Sequence, residues 1–524
     1  MRKIEIYDTT LRDGTQREGI SFSVEDKIRI VRKLDDIGFQ FVEGGWPGSN
    51  PKDIEFFQRM QGIPLKKTVL TAFGSTRRAG IKAEEDTNVK AILNSGVHMA
   101  TIFGKSWDFH VTEALRTTLG ENLNMIRETI EFLVAQGLQV NFDAEHFFDG
   151  YKHNADYALE TLRAAAAGGA RCLVLCDTNG GTLPHEVQRI TRHVIEEFDL
   201  PVGIHAHNDS GVAVANSILA VEAGAMQIQG TINGYGERAG NADLCVIVPS
   251  LQLKMGFSIL DPKDLAQLTQ MSHYVSEQAN VIPDDHQPFV GRSAFAHKGG
   301  IHVSALLRHL QTYEHILPEL VGNRRRVLVS ELAGTSNIIY KARECGIELE
   351  KDSEKMQEIL STIKQLEHDG YYFEGAEASF EMILNRALGL YEPFFDLVGF
   401  RLITDRSNGG KDAHSEATIK IKVHGRTFHT AAEGNGPVNA LDGALRKALV
   451  EVYPQVQRIK LNDYKVRVLD EQEGTAAKVR VLIQSTDDGT SWGTVGVSTN
   501  IIEASWLALV DSIEYGLLKA KAYQ

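Results

Sequence analysis

The chain has 524 residues, of which 43% are hydrophobic and 24% charged, a composition typical of a globular protein with more than one domain. Its formal net charge of −14 leaves no surplus of basic residues for binding nucleic acid. No apolar stretch reaches the roughly 18 residues of a membrane span, and four scattered cysteines form no disulfide framework, so we expect a cytoplasmic protein that binds neither nucleic acid nor membranes.

From residue 1 to about 270, an amphipathic helix, a glycine and a short apolar strand recur in that order. Ala223 and Gly224, for example, lead into the strand that starts at Met226. Glycine suits the left-handed position that ends a helix, and apolar strands without strict alternation indicate a parallel sheet covered by helices. The predicted strands are residues 4–10, 39–43, 68–73, 99–103, 139–143, 172–176, 202–207 and 226–230.

Eight such units in about 250 residues predict an α/β fold, a (β/α)8 TIM barrel over residues 1–270. An open doubly wound sheet would show the same alternation, but its Gly-x-Gly-x-x-Gly turn does not follow the first strand. In a barrel, side chains that follow the strands gather on one face. The polar residues expected there are Asp13, Glu145, Thr178, His205, His207 and Asn241.

His205 and His207 are one residue apart in a strand, so their side chains point to the same face of the sheet. Such a pair alone is equally consistent with a structural role, but Asp13 and Asn241 are expected at other strand ends of the same face. Imidazoles with a carboxylate and an amide oxygen suit a divalent cation. Arg12, beside Asp13, could stabilise developing negative charge, or the two could form a surface salt bridge.

Beyond the barrel the pattern changes twice. Residues 271–395 are helical and irregular, and we interpret them as a linker region of small subdomains. Residues 396–524 contain an internal repeat that predicts an α+β domain, and neither copy carries a cluster of catalytic residue types. We therefore expect this last domain to bind a regulatory ligand or to form a dimer. The predicted elements are strands at 417–423, 478–483 and 494–497 and helices at 438–450 and 501–517.

Five motifs together resemble one enzyme family over essentially the whole chain. The family comprises the metal-dependent (β/α)8 acyltransferases that condense acetyl-CoA with a 2-oxo acid, namely the 2-isopropylmalate, homocitrate and citramalate synthases. Residues 43–53 are most similar to a branch of citramalate synthases, which use pyruvate. The motifs are DTTLRDG at 8–14, LCDT at 175–178, HAHND at 205–209, GYGERAGN at 234–241 and AFAHKGGIH at 294–302.

The resemblance implies a role for each candidate residue. Four side chains would bind a divalent cation (Mn²⁺, Mg²⁺ or Zn²⁺), and these are Asp13, His205, His207 and Asn241. The others would act on the substrates: Arg12 polarises the oxo group, Thr178 binds the substrate carboxylate, Glu145 lies near the acyl acceptor, and His302 and Tyr313 enter the neighbouring barrel of a homodimer. The residues around Glu145 depart from the family pattern, which leaves the shape of the oxo-acid pocket open.

The implied reaction is a Claisen-type condensation of acetyl-CoA with pyruvate and hydrolysis of the thioester, giving (R)-citramalate and CoA early in isoleucine biosynthesis. Isoleucine would be the feedback effector of the C-terminal domain. Glycine-rich turns at residues 434–436 and 493–496 are expected to frame its pocket, because glycine lets a ligand approach the backbone closely.

Three alternatives remain open. The nearest is a 2-isopropylmalate synthase that uses 2-oxoisovalerate. The second is a 3-hydroxyacyl-CoA lyase; those lyases lack the C-terminal repeats and carry a cysteine in a loop after the barrel, whereas no cysteine lies between residues 246 and 344. The third is a non-catalytic amino-acid sensor, which would not need Arg12, Glu145 and four cation ligands together.

Overall fold

The computed structural model describes residues 4–328, 335–344, 354–406, 413–469, 474, 476–487 and 489–522. The chain divides into two compact units, one formed by Met1–Phe295 with Ile316–Arg325 and the other by Ala296–His315 with Arg326–Gln524. Among the described residues, the helices are all too short or too polar to cross a membrane.

The first unit is built on eight parallel strands that form a closed barrel in sequence order, the first strand pairing with both the second and the eighth. The predicted (β/α)8 barrel is therefore confirmed. The strands are β1 (Glu5–Asp8), β2 (Phe41–Gly45), β3 (Val69–Ser75), β4 (Met99–Lys105), β5 (Gln139–Glu145), β6 (Cys172–Asp177), β7 (Val202–Ala206) and β8 (Gln227–Gly230).

Helices cover the barrel between its strands and after the last one. They are α1 (Val24–Ile37), α2 (Pro51–Met60), α3 (Thr87–Asn94), α4 (Asp108–His110), α5 (Leu119–Ala135), α6 (Phe147–His153), α7 (Ala155–Ala167), α8 (Pro184–Glu197), α9 (Ala213–Ala223), α10 (Leu244–Pro249), α11 (Pro262–Leu265) and α12 (Leu268–Gln278).

Helix α1 illustrates why these segments are helical. Ser23 and Asp26 form a reciprocal capping box that satisfies two backbone N–H groups at the start of the helix. Gly38 ends the helix at φ 96°, a left-handed conformation that glycine adopts without strain. Ile30 and Leu34, four residues apart on one face, are fully buried in the core around the barrel.

The second unit contains an internal repeat of three antiparallel strands followed by a helix. The first copy is β11 (Asp396–Asp405), β12 (His414–Val423), β13 (Arg426–Gly434) and α17 (Pro437–Leu449), and the second is β14 (Lys460–Val468), β15 (Val479–Thr486), β16 (Ser491–Ser498) and α18 (Ile501–Ala522). Preceding them are β9 (Ala296–His297), α13 (Gly300–Arg308), β10 (Arg326–Val327), α14 (Thr335–Glu344), α15 (Glu354–His368) and α16 (Glu377–Ala387).

The repeat confirms the predicted α+β domain but adds one strand to each copy. Buried and exposed side chains alternate along β12, as the sequence pattern indicates, and its buried side packs with α17. The added strands, β11 and β14, are mostly exposed along their length. An edge strand that buries little carries almost no hydrophobic periodicity, which is why the sequence did not reveal them.

One expectation for this domain is wrong. Residues 493–496 were predicted to form a glycine-rich turn beside an effector, but they lie inside β16. A Cβ atom on Gly493 would lie 1.9 Å from the carbonyl oxygen of Gly375, and one on Gly496 would lie 2.0 Å from that of Ala504. These glycines therefore accommodate neighbouring protein backbone, which leaves no space for a ligand beside them.

Candidate active site

The carboxyl-terminal ends of the barrel strands bring most of the predicted site residues around one cavity of about 200 Å³. Asn241, in the loop after β8, lies beside this cavity, and its amide nitrogen is 3.3 Å from Nε2 of His205. The predicted residues that line the cavity directly are Arg12, Asp13, Glu145, Thr178, His205 and His207.

The four predicted cation ligands are close together and almost completely buried. The Nε2 atoms of His205 and His207 are 3.3 Å apart, and Oδ2 of Asp13 is 3.5 Å from Nε2 of His205. Burial lowers the pKa of both histidines, that of His207 to about 3, so both imidazoles are neutral at pH 7. Burial acts to raise the pKa of Asp13, but neighbouring groups, led by the Arg12 guanidinium, lower it overall.

The chemistry of this group suits a divalent cation. Nδ1 of His207 and Oδ1 of Asn241 are buried without a hydrogen-bond partner. Turning the Asn241 amide by half a rotation would point its oxygen at Asp13 and His205, where its nitrogen now lies 3.4 and 3.3 Å away. Two imidazole nitrogens, one carboxylate and one amide oxygen would then converge.

One of the four residues, Asp13, forms a salt bridge with Arg12. In the described part of the chain, no three His, Cys, Asp or Glu side chains form a ready cation site. The Arg12 guanidinium contacts Oδ1 of Asp13 directly. Asp13 would exchange that contact for a cation.

Arg12 is itself held in place by Glu43, a residue to which the sequence assigned no role. Nε of Arg12 donates to Oε1 of Glu43 over 2.5 Å, and the guanidinium carbon lies 3.7 Å from the centre of the Phe73 ring. The buried carboxylate of Glu43 also accepts a hydrogen bond of 2.8 Å from the Tyr7 hydroxyl. Glu43 lies near the end of β2, on the same face as the other site residues, and this position could have identified it from the sequence.

Glu145 and Thr178 lie at the ends of β5 and β6. Glu145 contacts the ammonium group of Lys105, and its side chain is 22% exposed. The Thr178 hydroxyl oxygen accepts a hydrogen bond of 2.8 Å from the backbone N–H of His146. Its own proton therefore remains available for donation to an anion.

Three aromatic side chains, Trp46, Phe73 and Phe103, form one side of the cavity, and we call them the aromatic wall. Trp46 meets both phenylalanine rings edge-on, at 5.8 and 5.5 Å between ring centres. The two phenylalanines stack at 5.2 Å. The sequence did not distinguish these rings from ordinary core residues, because aromatic residues in apolar strands usually pack in a core.

His302 and Tyr313 lie in the second unit and are close to each other. Their rings stack with centres 4.2 Å apart, and both side chains are exposed, Tyr313 by 45%.

Known sequences match the chain over nearly its full length. The sequence model described as HMGL-like matches residues 3–275, that of the homocitrate synthase post-HMGL domain residues 289–370, and that of the LeuA allosteric (dimerisation) domain residues 374–517. The (R)-citramalate synthases of Aquifex aeolicus and Geobacter sulfurreducens are each 56% identical to it, over 99% of this chain and 98% and 99% of their own lengths. The 2-isopropylmalate synthase of Methanocaldococcus jannaschii is 32% identical, over 99% of this chain and 95% of its own.

The barrel fold, the cluster of side chains at the ends of its strands and the order of the three matched domains all indicate the same enzyme family. Identity with the citramalate synthases exceeds identity with this 2-isopropylmalate synthase by a wide margin. The chain therefore belongs to the (R)-citramalate synthase family of condensing acyltransferases.

Proposed function

We propose that the protein condenses acetyl-CoA with pyruvate and hydrolyses the resulting thioester, releasing (R)-citramalate and CoA for isoleucine biosynthesis in the cytoplasm. The observation that carries the choice of pyruvate is the 56% identity with two (R)-citramalate synthases, against 32% with the 2-isopropylmalate synthase. In this proposal the aromatic wall, which lines the cavity of about 200 Å³, contacts the methyl group of pyruvate and opposes a branched side chain.

In this proposal Asp13, His205, His207 and Asn241 hold a divalent cation, Mn²⁺, Mg²⁺ or Zn²⁺. When bound, the cation would polarise the oxo group of the substrate. The unpartnered oxygen of Asn241 and the neutral imidazoles support this role.

The remaining side chains bind and orient the reactants. Arg12, held by Glu43, places a permanent positive charge beside the oxo oxygen of pyruvate, which becomes an alkoxide as the new C–C bond forms. Thr178 donates its free hydroxyl proton to the carboxylate of pyruvate. Glu145, at the exposed edge of the cavity, orients the acyl acceptor.

We further propose a division of labour along the chain. Residues 1–270 catalyse the reaction, 271–395 form a linker, and 396–524 hold a homodimer together and bind isoleucine as a feedback effector. The match to the LeuA allosteric (dimerisation) domain supports the last assignment. His302 and Tyr313 would complete the active site of the neighbouring subunit; their exposed, stacked rings are compatible with such a contact.

The substrate proposal is tested by a steady-state assay of free thiol released from acetyl-CoA with pyruvate, 2-oxobutyrate or 2-oxoisovalerate. We expect the highest kcat/KM for pyruvate, with some turnover of 2-oxobutyrate, because each extra methylene discriminates by only about 1–3 kcal/mol. A higher kcat/KM for 2-oxoisovalerate would assign the enzyme to leucine biosynthesis instead. Adding isoleucine, leucine or valine to the same assay tests the effector, and inhibition by none of them would leave a purely structural dimer domain.

A further inference from the structure

The ring of His205 is hydrogen bonded on the side away from the other cation ligands. Its Nδ1 atom lies 2.8 Å from Oε1 of Gln229, a residue of β8. Gln229 in turn donates from Nε2 to Oδ1 of Asp143, on β5, over 2.9 Å. All three side chains are buried, with exposures of 5% for His205, 0% for Gln229 and 3% for Asp143. Hydrogen bonds thus join three barrel strands behind the proposed cation site.

The order of donors and acceptors in this chain determines where the proton of His205 resides. Nε2 of Gln229 donates to Oδ1 of Asp143, so the NH₂ group of Gln229 faces Asp143 and its amide oxygen faces His205. Burial raises the pKa of Asp143 well above its usual value, and the oxygen of a neutral carboxyl group also accepts this hydrogen bond. An amide oxygen can only accept, so Nδ1 must carry the proton and Nε2 keeps its lone pair. If the amide were reversed, its NH₂ group would face Nδ1, the proton would reside on Nε2, and that atom could not bind a cation.

We propose that Asp143 and Gln229 are positioning residues that lock His205 in the tautomer whose Nε2 can bind the catalytic cation. The inference rests on the cation site of the proposed function and adds to it a pair of residues outside the ligand set. Ligand histidines generally need such a partner for their second nitrogen, and its loss weakens metal binding.

The test measures binding of Mn²⁺ alone to the full-length, metal-stripped protein, with free Mn²⁺ followed by electron paramagnetic resonance. Gln229→Leu removes the acceptor for Nδ1 and should weaken Mn²⁺ binding by about 10–100-fold. The matched control is Gln227→Leu, because Gln227 is equally buried on β8 but bonds to Asn141 and Glu5 instead. The control should bind Mn²⁺ as the wild type does.

A paired substitution distinguishes the positioning role from a general destabilisation of the fold. Gln229→Glu with Asp143→Asn keeps one carboxyl group and one amide group and exchanges their positions. The new carboxylate accepts from His205 and from the new amide, so the Nδ1–H tautomer is preserved. We expect the pair to bind Mn²⁺ nearly as tightly as the wild type, and this comparison with the wild type still holds if Gln229→Leu does not fold.

Nitrogen-15 NMR of histidine-labelled, metal-free protein gives a readout that is independent of activity. The resonances of His205 should report a proton on Nδ1 in the wild type and in the paired variant, and a mixture of tautomers in Gln229→Leu. Equal Mn²⁺ affinity in the wild type and Gln229→Leu, or failure of the paired variant to exceed Gln229→Leu, would overturn the positioning role alone. A wild type that turns over pyruvate at full rate without binding Mn²⁺, Mg²⁺ or Zn²⁺ would instead overturn the cation site itself.

Discussion

At the scale of single residues, the candidate site depends on side chains that are distant in sequence and almost touch in space. Asp13 and Asn241 are separated by 228 positions, yet their side chains approach to 3.4 Å. His205 and His207 share a strand end and differ in their support, since Gln229 contacts Nδ1 of His205 whereas Nδ1 of His207 has no partner.

His207→Ala removes one proposed cation ligand and should lower kcat/KM for pyruvate by at least about 100-fold, because a Lewis acid contributes several kcal/mol to such a reaction. The measurement is the thiol-release assay together with the metal content of the purified protein. His286→Ala, at a side chain that is 85% exposed, serves as the control. Normal metal content and turnover in His207→Ala would remove this residue from the ligand set.

Phe103→Ala opens the aromatic wall without touching Arg12, which stacks on Phe73 instead. We expect kcat/KM for 2-oxoisovalerate to rise relative to pyruvate by roughly 10–100-fold, the range that one or two methylenes discriminate. Phe109→Ala, on an exposed ring in helix α4, is the matched control for losing an aromatic side chain. An unchanged ratio in Phe103→Ala would mean that another part of the cavity selects the oxo acid.

Asp8→Asn should make stability less dependent on pH. Asp8 is fully buried at the end of β1, and burial raises its pKa from 3.8 to about 7 despite hydrogen bonds from Thr10. Between these values the folded state holds a proton that the unfolded chain has lost, so the free energy of unfolding falls as the pH rises from about 4 to 7.

Urea unfolding at several pH values measures this effect. The wild type should lose on the order of 4 kcal/mol more than Asp8→Asn across that window. Asp284→Asn, at a side chain that is 73% exposed, should retain the wild-type slope. Parallel pH profiles for the wild type and Asp8→Asn would show that the Asp8 carboxyl is ionised in the folded protein.

At the scale of elements, the barrel was predictable because each unit repeats a helix, a glycine and an apolar strand. The strand ends then located Arg12, Asp13 and the other site residues without any knowledge of side-chain contacts. The same criterion points to Glu43 near the end of β2, but the aromatic wall and the Asp143–Gln229 pair could not be found in this way. Their roles depend on which inward-facing side chains meet across the closed barrel, and this is set by the stagger of its strands.

Gly496→Ala tests the corrected interpretation of residues 493–496. The new methyl group would lie 2.0 Å from the carbonyl oxygen of Ala504, so β16 and α18 would have to move apart. We expect a loss of about 1–3 kcal/mol in the stability of the second unit, seen as a lower midpoint of thermal unfolding. Gly399→Ala, in β11, meets no atom within 4 Å and should leave the midpoint unchanged. Equal midpoints in the two variants would contradict the close packing of α18.

At the scale of the whole molecule, the proposed sharing of active sites makes two inactive variants complementary. Arg12→Ala and His302→Ala chains, when mixed and allowed to exchange subunits, should regain about one quarter of wild-type activity, because half of the dimers are mixed and each has one intact site. Mixing Arg12→Ala with His207→Ala should regain nothing, since both changes disable a barrel. Failure of the first mixture, with exchange verified by mass spectrometry, would place His302 outside the active site of the partner.

The pairing of β1 with β8 means that the first strand of the barrel finds its last neighbour only after the intervening chain has been made. At ordinary rates of synthesis, the 228 positions between Asp13 and Asn241 take roughly 10 to 50 s to emerge. During that interval the backbone N–H and C=O groups on one edge of β1 are unpaired, and such an edge can pair with other nascent chains. The proposed cation ligands on the loops after β1 and β8 lie on either side of this last strand pairing. A cation that binds them would therefore stabilise the closed barrel relative to its open precursor.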